Sequence, residues 1–214
     1  MRSDSQERRM AMIAHDQPYW AACARVAGMD EAGRGPLAGN VVTACVIMPS
    51  APTVDWVDDS KKLSALRRDK VYEEILRTAL YVGVGRASAQ EIDEINILQA
   101  TMNAMRRAAA DAQANIYLID AVKNLGLDAP EIPIVHGDAV SYSIAAASIV
   151  AKVTRDRELL ALDQQYPQYG FARHKGYGTA EHIAAIREHG PCPAGGHRPH
   201  AGGPGAGGDQ LGAG

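Results

Sequence analysis

Short apolar and β-branched runs open the chain. Arg25 to Met29 is one, and Asn40 to Met48 (NVVTACVIM), stopped by Pro49, is a second. Tyr81 to Ala87 is a third. Three such runs predict an antiparallel meander. Between the second and third the pattern turns helical over about 65–80, with Ser64 placed to cap it. Ile92, Ile95, Leu98, Met102, Met105 and Ala109 then recur every three or four residues, which predicts one amphipathic helix. Ile116–Ile119 and Ile132–Val135 read as short buried strands, each followed by a helix. Helical signal returns over about 140–162 and 179–189. Three strands followed by alternating helix and strand predict an α/β fold with a mixed sheet flanked by helices and a helical C-terminal part. Its crossover strands should be parallel, with a ligand site beyond their carboxyl ends.

Residues 1–22 are polar and charged and read as a flexible leader. From Gly190 on, glycine and proline dominate, so 194–214 read as a disordered tail that burial cannot order. One domain, 23–193, remains. With 46% of its 214 residues hydrophobic, the chain can bury a core, and its single Phe (Phe171) leaves that core to aliphatic side chains. Three cysteines without a CxxC pair argue against a disulfide scaffold or a Cys-rich zinc module, and suit a reducing, cytoplasmic setting. The apolar runs all fall short of the roughly 18 residues of a membrane span, so no membrane partner is expected. A net charge of −3 is low for a general nucleic-acid coat, yet local patches decide binding.

Four carboxylates sit where the pattern leaves a strand: Asp30 and Glu31, Asp120, and Asp138. Brought to one sheet edge, they would repel and raise each other's pKa unless a cation neutralised them. Hard oxygen donors favour Mg²⁺ or Mn²⁺ over Zn²⁺. Helix caps and turns account for Asp at strand ends equally well. Gly33-Arg34-Gly35-Pro36 follows the first pair; its glycines would let backbone N–H groups approach a ligand, and Arg34 could pair with a phosphate. A tight turn with a solvated Arg is the plainer reading. No P-loop string is present.

Basic residues cluster at Lys61, Lys62, Arg67 and Arg68, at Lys152, Arg155 and Arg157, and at Arg173, His174 and Lys175. They form either solvated faces or the lining of a phosphate groove. The stretch Tyr166–Tyr177 interleaves aromatics with cations, as a nucleic-acid edge would, or packs its rings on the core. Ser141–Ala151 is rich in small residues and suits close helix packing. Cys192, His197 and His200 lack a fourth ligand and make a poor zinc set.

Taken in order, the motifs resemble the ribonuclease HII family, the type 2 ribonucleases H. The resemblance begins at Val26-Ala-Gly-Met-Asp-Glu-Ala-Gly-Arg-Gly-Pro-Leu-Ala-Gly39 and runs through Asp59-Ser-Lys-Lys-Leu63, Glu94-Ile-Asn-Ile-Leu98 and Leu118-Ile-Asp120. It continues through Gly137-Asp138, Ala145-Ala-Ala-Ser-Ile149, Ala151-Lys-Val-Thr-Arg-Asp156, Tyr169-Gly-Phe171 and His174-Lys-Gly-Tyr-Gly-Thr179 to Gly190-Pro191. It implies an RNase H-like fold with a mixed five-stranded sheet. It also implies hydrolysis of the RNA strand in RNA–DNA hybrids and incision 5′ of single ribonucleotides in duplex DNA, leaving 3′-hydroxyl and 5′-phosphate ends. Carried over, the catalytic and metal-binding quartet is Asp30, Glu31, Asp120 and Asp138, holding two Mg²⁺ or Mn²⁺ ions. Gly33, Arg34 and Gly35 would sense the 2′-hydroxyl, and Tyr177 would stack on the ribose at the RNA–DNA junction. Lys61 and Lys62 would position the phosphate backbone without reading sequence.

The chain departs from the family pattern at Ala121, where Gly is usual, at His136, where Lys is common, and at His197-Arg-Pro-His200. These changes bear on rate and substrate grip. Only 27 residues precede Gly28 and the fourth acid is Asp138, which favours type HII over ribonuclease HIII. A monomer is expected. Two other readings stay open: an NTPase built on Gly33 and Gly35, and a non-catalytic nucleic-acid-binding module of the same fold.

Overall fold

In the computed structural model the described residues are 2–51, 54–58 and 63–192. The elements follow the order α1 (Arg2–Ala22), β1 (Val26–Ala32), β2 (Val41–Ile47), α2 (Ala65–Thr78), β3 (Tyr81–Ala87), α3 (Ala89–Ile95) and α4 (Ile97–Ala109). They continue with β4 (Ile116–Asp120), β5 (Glu131–Ile134), α5 (Gly137–Val140), α6 (Tyr142–Gln165), α7 (Phe171–His174) and α8 (Ala180–His189). The five strands form one mixed sheet in the order β3-β2-β1-β4-β5. β1–β2 and β2–β3 pair antiparallel, as the meander required, whereas β4 joins β1 and β5 joins β4 in parallel.

Both faces of the sheet are covered, so its central strands are apolar throughout rather than alternating. Val26, Ala44, Val46 and Leu118 face α6, and Ala27, Met29, Cys45, Ile47 and Ile119 face Met105 and Ala108 of α4. The small residues of α6 serve that contact: Ala145, Ala146, Ala147 and Ala151 are fully buried. Gly28 lets the helix lie on β1, because a Cβ there would run into the Ser143 backbone.

Three expectations are corrected. Residues 2–22 are helix, not a flexible leader. Met12 and Trp20 are buried, and the fully buried Asp16 between them accepts hydrogen bonds from Ser141 Oγ (3.0 Å) and Ser143 N (2.8 Å). The buried stripe is sparse, and its middle member is an acid whose partners lie far along the chain, so the segment looks solvated. The amphipathic helix over 92–109 is two helices. Asn96 (φ 70°) ends α3 and caps α4, its Oδ1 accepting from Leu98 N (3.0 Å) and Gln99 N (3.1 Å). Finally, β4 and β5 are joined by a loop, residues 121–130, with no helix. That loop is held by the Glu131 carboxylate, which accepts from Leu125 N (2.8 Å) and Leu127 N (2.9 Å), and by buried Val122 and Leu125. No described helix is long and apolar enough to cross a membrane.

Candidate active site

Asp30 and Glu31 lie toward the carboxyl end of β1, and Asp120 is the last residue of β4. The parallel register pairs Met29 with Ile119, so the next residue on each strand is an acid, Asp30 beside Asp120. Asp138, buried, stands in the first turn of α5. The juxtaposition has an electrostatic consequence. Burial, then the charges of Glu31 and Asp120, hold the Asp30 carboxyl well above its ordinary pKa, against hydrogen bonds from Ser148 and from Glu31 N (2.7 Å). Burial also raises Glu31, opposed by Arg34 and reinforced by Asp120 and Asp138.

All four donors are hard oxygens, and Glu31 Oε2 is buried with no hydrogen-bond partner. In kind they fit a hard divalent cation. Among the described residues no three acid, His or Cys side chains are yet gathered as closely as an ion requires. The acids are turned to protein donors instead: Asp30 to Ser148 and Glu31 N, Glu31 to Arg34 Nη1 (3.1 Å) and Asp120 to Gly137 N (2.7 Å). Arg34, expected to pair with a phosphate, is thus engaged with Glu31.

A groove beside the acids is lined by Asp30, Glu31, Asp120, Gly33, Arg34, Gly35, Ser148, Lys152 and Tyr177. Gly33 (φ 102°) and Gly176 (φ 80°) take conformations that L side chains rarely adopt. The Gly176 carbonyl accepts from Leu37 N (2.8 Å) and Ala38 N (3.3 Å), which ties the Gly-Arg-Gly loop to the segment bearing Tyr177. The Tyr177 ring is about half exposed (51%), and a Cβ on Gly35 would stand 3.6 Å from its Cε1.

The basic clusters do not become a free cationic lining. Arg155 is buried (2% exposed) and donates to three carbonyls: Asn40 O (3.0 Å), Lys175 O (3.1 Å) and Ala38 O (2.9 Å). Arg157 pairs with Glu73 (3.0 Å) and lies over the Tyr72 ring, Arg67 lies over Trp56, and Arg68 donates to Leu63 O (2.9 Å). Arg173 pairs with Glu181, and His174 is buried. Lys152 and Arg155 both line the groove, but Arg155 is engaged with carbonyls and Lys152 holds its Nζ 2.7 Å from Asp156. Lys61 and Lys62 lie outside the described residues, as do His197, His200 and the tail. Tyr169 and Phe171 are buried and stacked on each other, so of the aromatic stretch Tyr177 is the exposed ring. Cys192 is buried, and burial pushes the Cys45 thiol up to about 12, leaving it inert.

The sequence reading missed the part played by two site residues. Ser148 bonds Asp30, and Arg155 clamps both loops. The spacing of Ser148, Lys152, Arg155 and Leu159 along one helix face was the available signal.

A mixed sheet that delivers acids from β1 and β4 to one groove, with the charge of Asp138 on α5 felt at Glu31, defines the RNase H-like class of α/β proteins. The ribonuclease HII family profile matches residues 27–200. Ribonuclease HII of Geobacter metallireducens is 56% identical over 170 residues, which span 78% of this chain and 80% of that one. Ribonuclease HII of an Acidovorax species is 54% identical over 187 residues, 86% of this chain and 90% of that one. The crystal structure of ribonuclease H2 from Pyrococcus horikoshii matches with a TM-score of 0.69 at 27% identity, covering 79% of this chain and 90% of that one. The chain belongs to the ribonuclease HII family. It is therefore an enzyme, a metal-dependent endoribonuclease.

Proposed function

We propose that this ribonuclease cuts the RNA strand of RNA–DNA hybrids and nicks duplex DNA 5′ of a single embedded ribonucleotide, leaving 3′-hydroxyl and 5′-phosphate ends. The observation that carries the reading is the half-exposed Tyr177 ring against Gly35, on the rim of the groove that holds Asp30, Glu31 and Asp120. A ring there can lie on a ribose, while the backbone around Gly33 and Gly35 meets its 2′-hydroxyl, the group that separates RNA from DNA.

Asp30, Glu31, Asp120 and Asp138 would hold the cations, Mg²⁺ or Mn²⁺. A pair of such ions supplies a water of lowered pKa and a counter-charge for the leaving 3′-oxygen. Ser148 orients Asp30 through its hydrogen bond. Arg34 keeps Glu31 at the groove mouth by an ion pair whose Arg side is exposed and therefore exchangeable. Lys152 adds positive charge where a phosphate would pass, and Lys61 and Lys62 would contribute affinity for the backbone. The enzyme acts as a cytoplasmic monomer on this reading.

The deciding experiment is incision of a duplex carrying one ribonucleotide, in Mg²⁺ and in Mn²⁺, beside an all-DNA control. A nick on the 5′ side of the ribonucleotide is expected. Tight binding without a nick in either metal would instead make this a non-catalytic nucleic-acid-binding module.

A further inference from the structure

Tyr177 is flanked by Gly176 and Gly178, neither of which stiffens the backbone that aims its ring. The Gly176 carbonyl is held by Leu37 N and Ala38 N, and the Tyr177 carbonyl accepts from Thr179 N (2.8 Å); two histidines add to this hold. His174 and His182 are both buried, and their rings stack with centroids 4.4 Å apart and planes 14° apart. Phe171, fully buried, meets both rings edge-on. His174 Nδ1 accepts from Gly176 N (3.2 Å), so that nitrogen carries no proton, and Nε2 donates to Tyr169 O (2.7 Å). His182 Nδ1 lies 2.9 Å from the Tyr177 carbonyl and donates to it, since a carbonyl can only accept. The Tyr177 N–H in turn donates to His174 O (2.9 Å). Both peptide groups of Tyr177 are therefore tied to the histidine pair.

We propose that His182, stacked on His174, is a positioning residue for Tyr177: it holds that residue's backbone by the carbonyl and so sets where the ring meets a ribonucleotide. This rests on Tyr177 facing the ribose. His182 does not line the groove, and its effect on cleavage would pass through Tyr177.

Substitutions can separate its two ring nitrogens. His182→Asn keeps a donor at the Nδ1 position, whereas His182→Gln moves it to the Nε2 position. His182→Gln should lower kcat/KM on the single-ribonucleotide duplex by about 3- to 10-fold, the worth of one hydrogen bond. His182→Asn should recover most of that loss. In the Tyr177→Ala background the two variants should cut alike, because the ring they aim is gone. Hydrogen exchange at the amides of residues 177–179 should quicken in His182→Gln and not in His182→Asn. Equal activity of the Asn and Gln variants, or a full loss that persists without the Tyr177 ring, would overturn the proposal. If His182→Gln melts too low to assay, His182→Asn alone decides: it should cut within about 3-fold of wild type and keep the 177–179 amides protected, and a larger loss or faster exchange would overturn the proposal. Wild-type cutting by Tyr177→Ala would sink the ribose-facing reading instead, while amide exchange would still decide whether His182 holds the loop.

Discussion

The Tyr177 ring stands beside Gly35 with room for a methyl between them: a Cβ on Gly35 would meet the ring's Cε1 at 3.6 Å, an ordinary contact. The two residues lie 142 positions apart and close the groove from opposite sides of the Gly176 carbonyl bridge. Tyr177→Ala should lower kcat/KM on a single-ribonucleotide duplex by about 5- to 150-fold, the range of aromatic stacking on a base or sugar. Tyr177→Phe keeps the ring and should lose less. Both should melt near wild type, because a half-exposed ring buries little. A normal rate with a much lower Tm would make the ring a packing residue.

Asp30→Asn and Asp120→Asn should abolish cleavage with the fold intact, since the charge is lost and the shape is kept. Asp30→Asn should also be more stable than wild type in chelator at pH 8. The folded-state pKa of Asp30 is raised above its unfolded value by burial and by Glu31 and Asp120. Stability is therefore greatest below the unfolded value and falls as pH rises toward the folded one, where the native state must ionise a buried carboxyl. Asn is neutral at every pH, so its advantage should vanish below about pH 4. Thermal melts across that range decide it: an Asp30→Asn advantage that does not shrink toward low pH would mean that the acids do not strain the site.

Mg²⁺ or Mn²⁺ should raise the Tm of the wild-type enzyme, and chelator should reverse the gain. A cation that binds only the folded state stabilises it by mass action and cancels the carboxylate repulsion. The shift should be smaller in Asp30→Asn. Equal shifts in both proteins would place the ion elsewhere.

Arg155 donates to Ala38 O, Asn40 O and Lys175 O from inside the protein. Arg155→Met should strand these carbonyls and cost about 3–5 kcal/mol in urea denaturation. Arg155→Lys should rescue little, because one ammonium cannot reproduce the planar fork. A cost under about 1 kcal/mol for Arg155→Met, the size of an ordinary surface change, would show that the clamp is dispensable.

Ala121 sits just past Asp120 with φ 52°, the left-handed region, where the family pattern has Gly. An L side chain there costs about 1–2 kcal/mol, and glycine's extra unfolded-state freedom returns about 0.5–1 of it. Ala121→Gly should therefore stabilise the enzyme by about 0.5–1 kcal/mol, as the same balance implies. Destabilisation on denaturant titration would mean that the Ala methyl packs well enough to offset its strain.

What the sequence determined by itself was local. The bounds of β3 at Tyr81 and Ala87 agree with the structure, and Ser64 caps α2 by accepting from Arg67 N, because strand propensity and capping act within a few residues. The four acids could be nominated because each stands at or just beyond a strand end, and their roles came with the motif resemblance. The tertiary structure decided what each charged side chain is for. Asp16 looked like part of a solvated leader until Ser141 and Ser143 came to it. Arg155 looked like one cation of a phosphate-binding cluster until the carbonyls of Ala38 and Asn40 came to it. His174 stood in a basic cluster until His182 stacked on its ring. A polar group's free energy is set by the partners that replace its water, and for these residues most of those partners arrive only when the chain has folded.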